Sequence, residues 1–398
     1  MPKRSTSDRE PTLTLRRKLK RALAGGHPWV YRDALDGTVP RPGTTVRIED
    51  ERGRFVARGL AEEGPIAVRV LCTRDEPIDG ALIARRVASA CALRDQVVPA
   101  DTNAYRLING EGDRLPGLVC DVYGAYATVS LDGAASTALR GRWLDALRGP
   151  LAERGVDSVL VRSGRRPNRT VEQAWGDAPP KALHITEHGM TLVVDLLHGQ
   201  KTGLFLDHRP ARRRARELSV HGGRVLDLYS YVGGFSAAAG LGGASDVTTV
   251  DIAAPAIEMA RQTWAANGLP AAHHRPVASD VPEFLQQASR SRERFDLIIA
   301  DPPSFAPNAG AVRGALRAYD KLHRACLELL APGGWLLAAT CSSHVDAATF
   351  DRAFADAAGK AGRVMQVVSR WGAPPDHPRL AAFPEGDYLA VIVARSLD

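Results

Sequence analysis

Phe295–Pro303 reads FDLIIADPP, an apolar run that ends in an aspartate and two prolines. An apolar stretch, Leu297–Ala300, closed by an acid and two prolines predicts a buried strand that stops at the acid, because proline has no amide to continue a ladder. Trp335–Cys341, WLLAATC, is a second such run and follows the turn signal Pro332-Gly333-Gly334. In a parallel sheet the carboxyl ends of both strands open onto one crevice, so Asp301 and Cys341 would meet there. Working outward, strand-like runs at Val225–Tyr229, Val247–Val250, Leu297–Ala300 and Trp335–Ala339 alternate with helical stretches from about Leu192 onward. That alternation predicts an α/β domain with a doubly wound, Rossmann-like sheet. A loop at Pro374–Pro378 precedes a last apolar strand, Tyr388–Val393.

The upstream half has a different character. Thr44–Ile48, Phe55–Leu60 and Ile66–Leu71 read as strands of a small β-rich module, divided by Gly53 and the Gly64-Pro65 turn. Ala81–Val97 carries Leu82, Ile83, Val87, Ala90, Cys91 and Leu93 at helical spacing and ends at Val98-Pro99. Tyr105–Leu131 alternates strand-like runs with turns, and Arg142–Arg154 is an amphipathic helix, so this middle block is expected to be α+β. The domains expected are 1–75, 76–191 and 192–398.

A chain of 398 residues has room for several cores. With 44% hydrophobic and 24% charged residues it has the composition of a globular protein. No apolar stretch approaches the ~20 residues that span a bilayer, so no membrane association is expected. MPKRSTSDRE has charge without a following apolar core, unlike a secretory signal, which makes the cytoplasm the expected compartment. Cys72, Cys91, Cys120, Cys326 and Cys341 are scattered and form no CxxC pair, which argues against a disulfide framework and a structural metal site. The net charge of +7 is concentrated in Met1–Gly26, where Lys3, Arg4, Arg9, Arg16, Arg17, Lys18, Lys20 and Arg21 face only Asp8 and Glu10. Such a segment suits a polyanion such as RNA; a solvated basic tail is the alternative.

Arg224–Ser236, RVLDLYSYVGGFS, places Asp227 at a strand end, follows it with Gly233 and Gly234, and then begins a helix. Glycines in that position let backbone approach a ligand closely. Asp251 ends the next strand, VTTVD, where a carboxylate can accept from both hydroxyls of a ribose. Asp280, in VASD before a helix near Val281, is placed to meet an exocyclic amine. Both aspartates can equally serve as helix N-caps. The loop lacks the three-glycine fingerprint that a dinucleotide pyrophosphate needs. S-adenosylmethionine has no phosphate, and its positive charges suit the carboxylates of Asp227, Asp251, Asp280 and Asp301.

In DPPSF, Asp301–Phe305, the prolines make a rigid loop able to hold a planar base between its backbone and Phe305. Carbon 5 of a pyrimidine is a poor nucleophile until a thiolate adds at carbon 6, which turns the ring into an enamine. Cys341 is the thiol in place for that step, and Asp301 the group to orient or protonate the ring nitrogen. The alternatives are a plain strand-ending turn at DPP and a buried apolar cysteine. No residue is assigned as the base that removes the carbon 5 proton.

With these residues in view, the chain resembles the bacterial class I S-adenosylmethionine-dependent methyltransferases that form 5-methylcytosine in 23S ribosomal RNA and begin with a PUA domain. GGHPWVYRDAL (Gly25–Leu35) resembles their PUA opening, and NGEGDRLPGLVCDVYG (Asn109–Gly124) is similar to the signature of their central domain. GQKTGLFLDHR (Gly199–Arg209), DLYSYVGGF, DPPSF and TCSS resemble the remaining motifs. The resemblance implies a cofactor site of Thr202, Phe205, Asp207, Asp227, Tyr229, Gly233, Gly234, Asp251, Ile252, Asp280 and Asp301. It further implies substrate contacts from Pro302, Pro303, Ser304 and Phe305, and Cys341 as nucleophile. Ser304 stands where many members have lysine, and Ser343 where glycine is more usual. The implied partner is 23S ribosomal RNA, with its target cytosine flipped into the crevice; a homodimer is compatible with this reading. Arg162, Arg165, Arg166 and Arg169, and Arg209, Arg212, Arg213, Arg214 and Arg216, would add positive surface. Two other functions fit the same chain: methylation of guanine nitrogen 7, which needs no thiolate, and a non-catalytic RNA-binding or assembly role.

Overall fold

Residues 10–164 and 170–398 are described by a computed structural model. The basic residues Lys3, Arg4, Arg9, Arg165, Arg166 and Arg169, with Asp8, lie outside the described residues. The chain forms two compact units: one runs to Val98 and takes in Ala104–Pro179 and Pro375–Gly386, and the other comprises Pro99–Asn103, Pro180–Pro374 and Asp387–Asp398.

In the first unit, β1 (Thr12–Leu15), α1 (Lys20–Ala24), β2 (Trp29–Tyr31), β3 (Leu35–Asp36), β4 (Thr45–Glu49), β5 (Phe55–Ala61) and β6 (Ile66–Cys72) build a six-stranded sheet in the order β2-β6-β5-β4-β1-β3. Its core is Leu13, Val30, Val46, Ile48, Ala57 and Val68. A long helix, α2 (Gly80–Val97), follows, capped by Asp79 accepting from the Leu82 amide at 2.9 Å. Then β7 (Ala104–Asn109), β8 (Leu118–Tyr123), β9 (Tyr126–Leu131), α3 (Ala134–Ala138), α4 (Arg140–Ala152), β10 (Ser158–Ser163) and β11 (Thr170–Trp175) form a five-stranded sheet, β11-β10-β9-β8-β7. The apolar stripe of α2 and Trp143 of α4 pack with Leu107, Cys120 and Val129 of that sheet.

The second unit opens with the hairpin β12 (Leu183–Glu187) and β13 (Met190–Val194). It continues through α5 (Arg209–Leu218), β14 (Arg224–Leu228), α6 (Gly234–Gly242), β15 (Asp246–Asp251), α7 (Ala254–Ala266), β16 (His274–Ala278), α8 (Val281–Arg290), β17 (Phe295–Ala300), α9 (Val312–Leu329), β18 (Leu330–Thr340), α10 (Ala347–Lys360), β19 (Met365–Trp371) and β20 (Ala390–Ser396). The seven-stranded sheet runs β16-β15-β14-β17-β18-β20-β19, parallel except for β20, which is antiparallel to both its neighbours. Successive residues of a strand face opposite ways. Leu226, Leu228 and Ile298 therefore pack with Phe284, Tyr319 and Phe350 of α8, α9 and α10, while Val225, Leu297 and Ile299 pack with Ala211, Phe235 and Trp264 of α5, α6 and α7. Burial on both faces is why these strands read as continuous apolar runs.

Among the strand boundaries that differ from expectation are three in the second unit. The first strand stops at Leu228, because Tyr229 turns left-handed at φ 59°. The strand expected at Trp335–Ala339 starts at Leu330, with Pro332-Gly333-Gly334 absorbed where the register with β17 shifts. The last strand starts at Ala390 and not at Tyr388. The edge strand β19 gave no apolar run, since its residues alternate between half-buried and exposed.

Candidate active site

The chain proceeds from β14 outward to β15 and β16, then returns to β17 on the other side of β14. The gap where that order reverses is where open α/β sheets hold their ligands. Leu228 pairs with Ala300, and Ala300 with Ala338, so Tyr229, Asp301 and Cys341 leave the sheet side by side. They line a cavity of about 330 Å³ together with Phe205, His208, Gly234, Asp251, Ile252, Asp280, Pro302 and Pro303.

Tyr229 and Tyr231 both take left-handed backbone, at φ 59° and 49°, a costly conformation for a large side chain. It is held from two sides. The Tyr231 amide donates to Asp251 Oδ2 at 2.9 Å, and the Tyr231 hydroxyl donates to the Gly203 carbonyl at 3.0 Å and accepts from the Gln200 amide at 2.9 Å. The Tyr231 ring meets Phe205 edge to face at 5.6 Å. Asp251 Oδ1 accepts from the Ala253 amide at 2.9 Å, so the carboxylate is fixed while keeping lone pairs for a ligand. Asp280 lines the cavity and also caps α8, accepting from the Glu283 amide at 3.3 Å. The helix-cap reading of that residue holds.

Asp227 is a correction. It does not line the cavity; it is fully buried beneath the loop, its Oδ2 accepting from the Ser236 amide at 3.0 Å and the Ser236 hydroxyl at 2.6 Å. Burial pushes it up to about 7. Gly233 and Thr202 also lie off the cavity wall, as does Asp207, which accepts from the Tyr388 hydroxyl at 2.8 Å. The stacking platform expected at Phe305 is absent. That ring packs 5.0 Å from Tyr319 against the hydrophobic core, and Ser304 is exposed off the wall.

Cys341 is partly buried, with Sγ 3.9 Å from the Pro302 carbonyl, whereas Cys72, Cys91, Cys120 and Cys326 are buried. Burial pushes its thiol up to about 11, Asp301 pushes the same way, and Lys201 opposes both. Burial likewise raises Asp301, and His208 is the largest counterweight. His208 was not singled out from sequence, and Arg212 only as one of a cluster of basic residues. His208 Nε2 lies 3.2 Å from Asp301 Oδ2. Arg212 is buried, clasps Glu187 through contacts of 2.7 and 2.6 Å, and donates to the Phe205 carbonyl at 3.0 Å. The density of polar residues in GQKTGLFLDHR was the available signal. Arg209 and Arg212 are buried, so neither adds positive surface, and Arg213 and Arg214 pair with Glu217; in the first unit, Arg162 is buried as well.

The cavity suits a nucleoside that carries positive charge. Asp251, Asp280 and Asp301 line it, Ile252 and Val281 supply apolar surface, and the loop at Gly233 is so tight that a Cβ there would lie 2.7 Å from Ala260 Cβ.

Comparison with known proteins gives the family. A family model described as S-adenosylmethionine-dependent methyltransferase matches residues 124–390, and one for a PUA-like domain matches residues 13–73. Proteins named "Ribosomal RNA large subunit methyltransferase I" are 36% identical: that of Erwinia tasmaniensis over 96% of this chain and 98% of its own, and that of Salmonella arizonae over 98% and 99%. Two solved structures superpose with a TM-score of 0.86 at 24% identity over 97% of this chain. One is described as a SAM-dependent methyltransferase from Streptococcus mutans, aligned over 100% of its length, and the other as a methyltransferase complexed with SAH, aligned over 99%. At that identity the likeness is one of fold.

Proposed function

Because this chain belongs to the S-adenosylmethionine-dependent methyltransferases and joins that domain to a PUA-like one, we propose that it methylates carbon 5 of a cytosine in 23S ribosomal RNA, with Cys341 as transient nucleophile. The observation that carries the proposal is Cys341 beside Asp301 on the wall of one cavity, at the carboxyl ends of adjacent parallel strands. The names of the full-length relatives support ribosomal RNA of the large subunit as the substrate.

S-adenosylmethionine, when bound, supplies the methyl electrophile. Asp251 is assigned to the ribose hydroxyls, Asp280 to the adenine amine, and Ile252 to the adenine face. Phe205, Tyr229 and Gly234 complete that wall, while Thr202, Asp207 and Gly233 shape it from behind. Asp227 supports the loop through Ser236 and does not touch the cofactor directly. Pro302 and Pro303 fix the edge against which the target base rests, with Ser304 and Phe305 continuing the loop. Cys341 Sγ attacks carbon 6 as thiolate; a thiol held near 11 needs the positive potential of Lys201 and loss of the neighbouring negative charge to ionise. Asp301 meets the ring nitrogen edge. The division 1–75, 76–191 and 192–398 belongs to the same proposal, supported by the separate six-stranded and five-stranded sheets upstream of the methyltransferase sheet. So does a cytoplasmic location; among the described residues no helix is long and apolar enough to cross a membrane.

The test is Cys341→Ala, with bisulfite mapping of ribosomal RNA and calorimetry of S-adenosylhomocysteine. The expected outcome is loss of methylation by at least a thousandfold with cofactor affinity within about twofold, since a covalent nucleophile has no substitute in the site. Full methylation by that variant would reject the cytosine reading in favour of a base that needs no thiolate.

A further inference from the structure

Asp301 has one polar side chain at hydrogen-bond distance among the described residues, His208, whose Nε2 lies 3.2 Å from Oδ2. His208 is itself 1% exposed. Its ring packs edge to face against Phe235 of α6 at 5.8 Å, and its Nδ1 is buried without a hydrogen-bond partner among the described residues. An imidazole with one nitrogen on a carboxylate and the other orphaned is a costly core feature, and its single partner is the acid already placed beside the nucleophile. Arg212, whose guanidinium also bears on Asp301, is committed to Glu187. Lys201 adds positive potential to Asp301, and Asp207 adds negative potential; Asp301 in turn bears on Asp227 and on the Cys341 thiol.

We propose that His208 is the positioning residue of the reaction: it shares one proton with Asp301 across the Nε2–Oδ2 contact, and Asp301 delivers that proton to ring nitrogen 3 as Cys341 Sγ bonds carbon 6. This rests on the cytosine reading above. In the attack the thiolate electron pair forms the S–C6 bond, the carbon 5–carbon 6 π pair moves through carbon 4 onto nitrogen 3, and nitrogen 3 takes the proton from Asp301. That leaves a carboxylate beside neutral His208, whose ring hydrogen is then on Nδ1 and whose bare Nε2 shares the proton again once nitrogen 3 has released it to Asp301. Once carbon 5 has taken the methyl group from the sulfonium, nitrogen 3 returns its proton to Asp301; a solvent base then takes the carbon 5 proton, the C–H pair restores the carbon 5–carbon 6 double bond, and the S–C6 pair leaves with the thiolate. With the shared proton on Asp301, the thiolate forms beside a neutral neighbour, so one proton position serves both groups.

Two readouts test this. In the ligand-free protein, ¹⁵N spectra of the His208 ring are compared in wild type and Asp301→Asn; the expected result is a displaced Nε2 resonance in the variant, and identical spectra would overturn proton sharing. In single turnover, adduct formation is followed with RNA containing 5-fluorocytidine, for wild type and His208→Gln, which can still donate to Asp301 but cannot titrate. The expected result is a ten- to hundredfold slower adduct in the variant, a changed pH profile, and S-adenosylhomocysteine affinity within twofold of wild type. His208→Asn, too short to reach Asp301, should lose more than His208→Gln. Adduct formation at the wild-type rate and pH profile in His208→Gln would overturn the proposal, whereas absence of any wild-type adduct would instead strike the cytosine reading and leave the spectra to decide on the pair.

Discussion

Asp227 shows how a single carboxyl links the core to pH. It has no exposed surface, its Oδ1 is unpartnered among the described residues, and its Oδ2 meets the Ser236 hydroxyl, which continues to Thr249 Oγ1 at 2.7 Å and on to His274 Nε2 at 2.8 Å. Burial pushes Asp227 up to about 7 and His274 down to about 4. An unfolded aspartate titrates at about 3.9, so from about pH 4 to 7 the folded chain holds one proton more than the unfolded one at this position. Its contribution is complete below pH 4 and is lost as pH rises to 7, by about 1.4 kcal/mol per pH unit, after which it is level. Asparagine keeps the acceptor for Ser236 and removes the titration. Urea unfolding should show wild type losing stability relative to Asp227→Asn between pH 4.5 and 7 and running parallel above; parallel curves throughout would remove this role. The sequence placed Asp227 at a strand end but not in its surroundings, because the left-handed turn at Tyr229 that folds the loop over it has no signature in the spacing of residues.

At the level of elements, the Gly233-Gly234 pair serves helix packing as well as the cavity, whose wall includes Gly234. Gly233 is left-handed, with φ 71°, at the start of α6. A Cβ there meets Ala260 of α7 at 2.7 Å, and one on Gly234 meets Arg212 Cδ at 2.8 Å. Left-handed backbone costs a non-glycine residue about 1–2 kcal/mol and overpacking about 1–3 kcal/mol. Gly233→Ala should therefore lose about 2–5 kcal/mol by chemical denaturation, and measurably less in an Ala260→Gly background, where the opposing methyl is gone. Equal losses in both backgrounds would mean that the helix contact is not the constraint.

For the whole molecule, the charge surplus is smaller at its surface than along the chain. Arg16 pairs with Asp36 and Arg17 with Asp33, while Lys18, Lys20 and Arg21 are exposed and form no salt bridge among the described residues. If this face holds RNA phosphates, each contact contributes about 0.7–0.9 to the slope of log affinity against log salt. Replacing Lys18, Lys20 and Arg21 together by alanine should lower that slope by up to about 2–3 in a filter-binding titration, with the melting temperature unchanged. An unaltered slope would exclude this face as the RNA contact.

The α/β class, the buried strands at Phe295–Ala300 and Trp335–Thr340, and the meeting of Asp301 with Cys341 were legible in the sequence, because doubly buried parallel strands must be apolar throughout and end where a polar residue or proline interrupts them. What tertiary structure alone decided was direction and company: Asp227 turned under the loop, Phe305 against the core, and His208 onto Asp301. These depend on backbone turns and on packing between residues far apart in the chain, where spacing along one strand or helix carries no information.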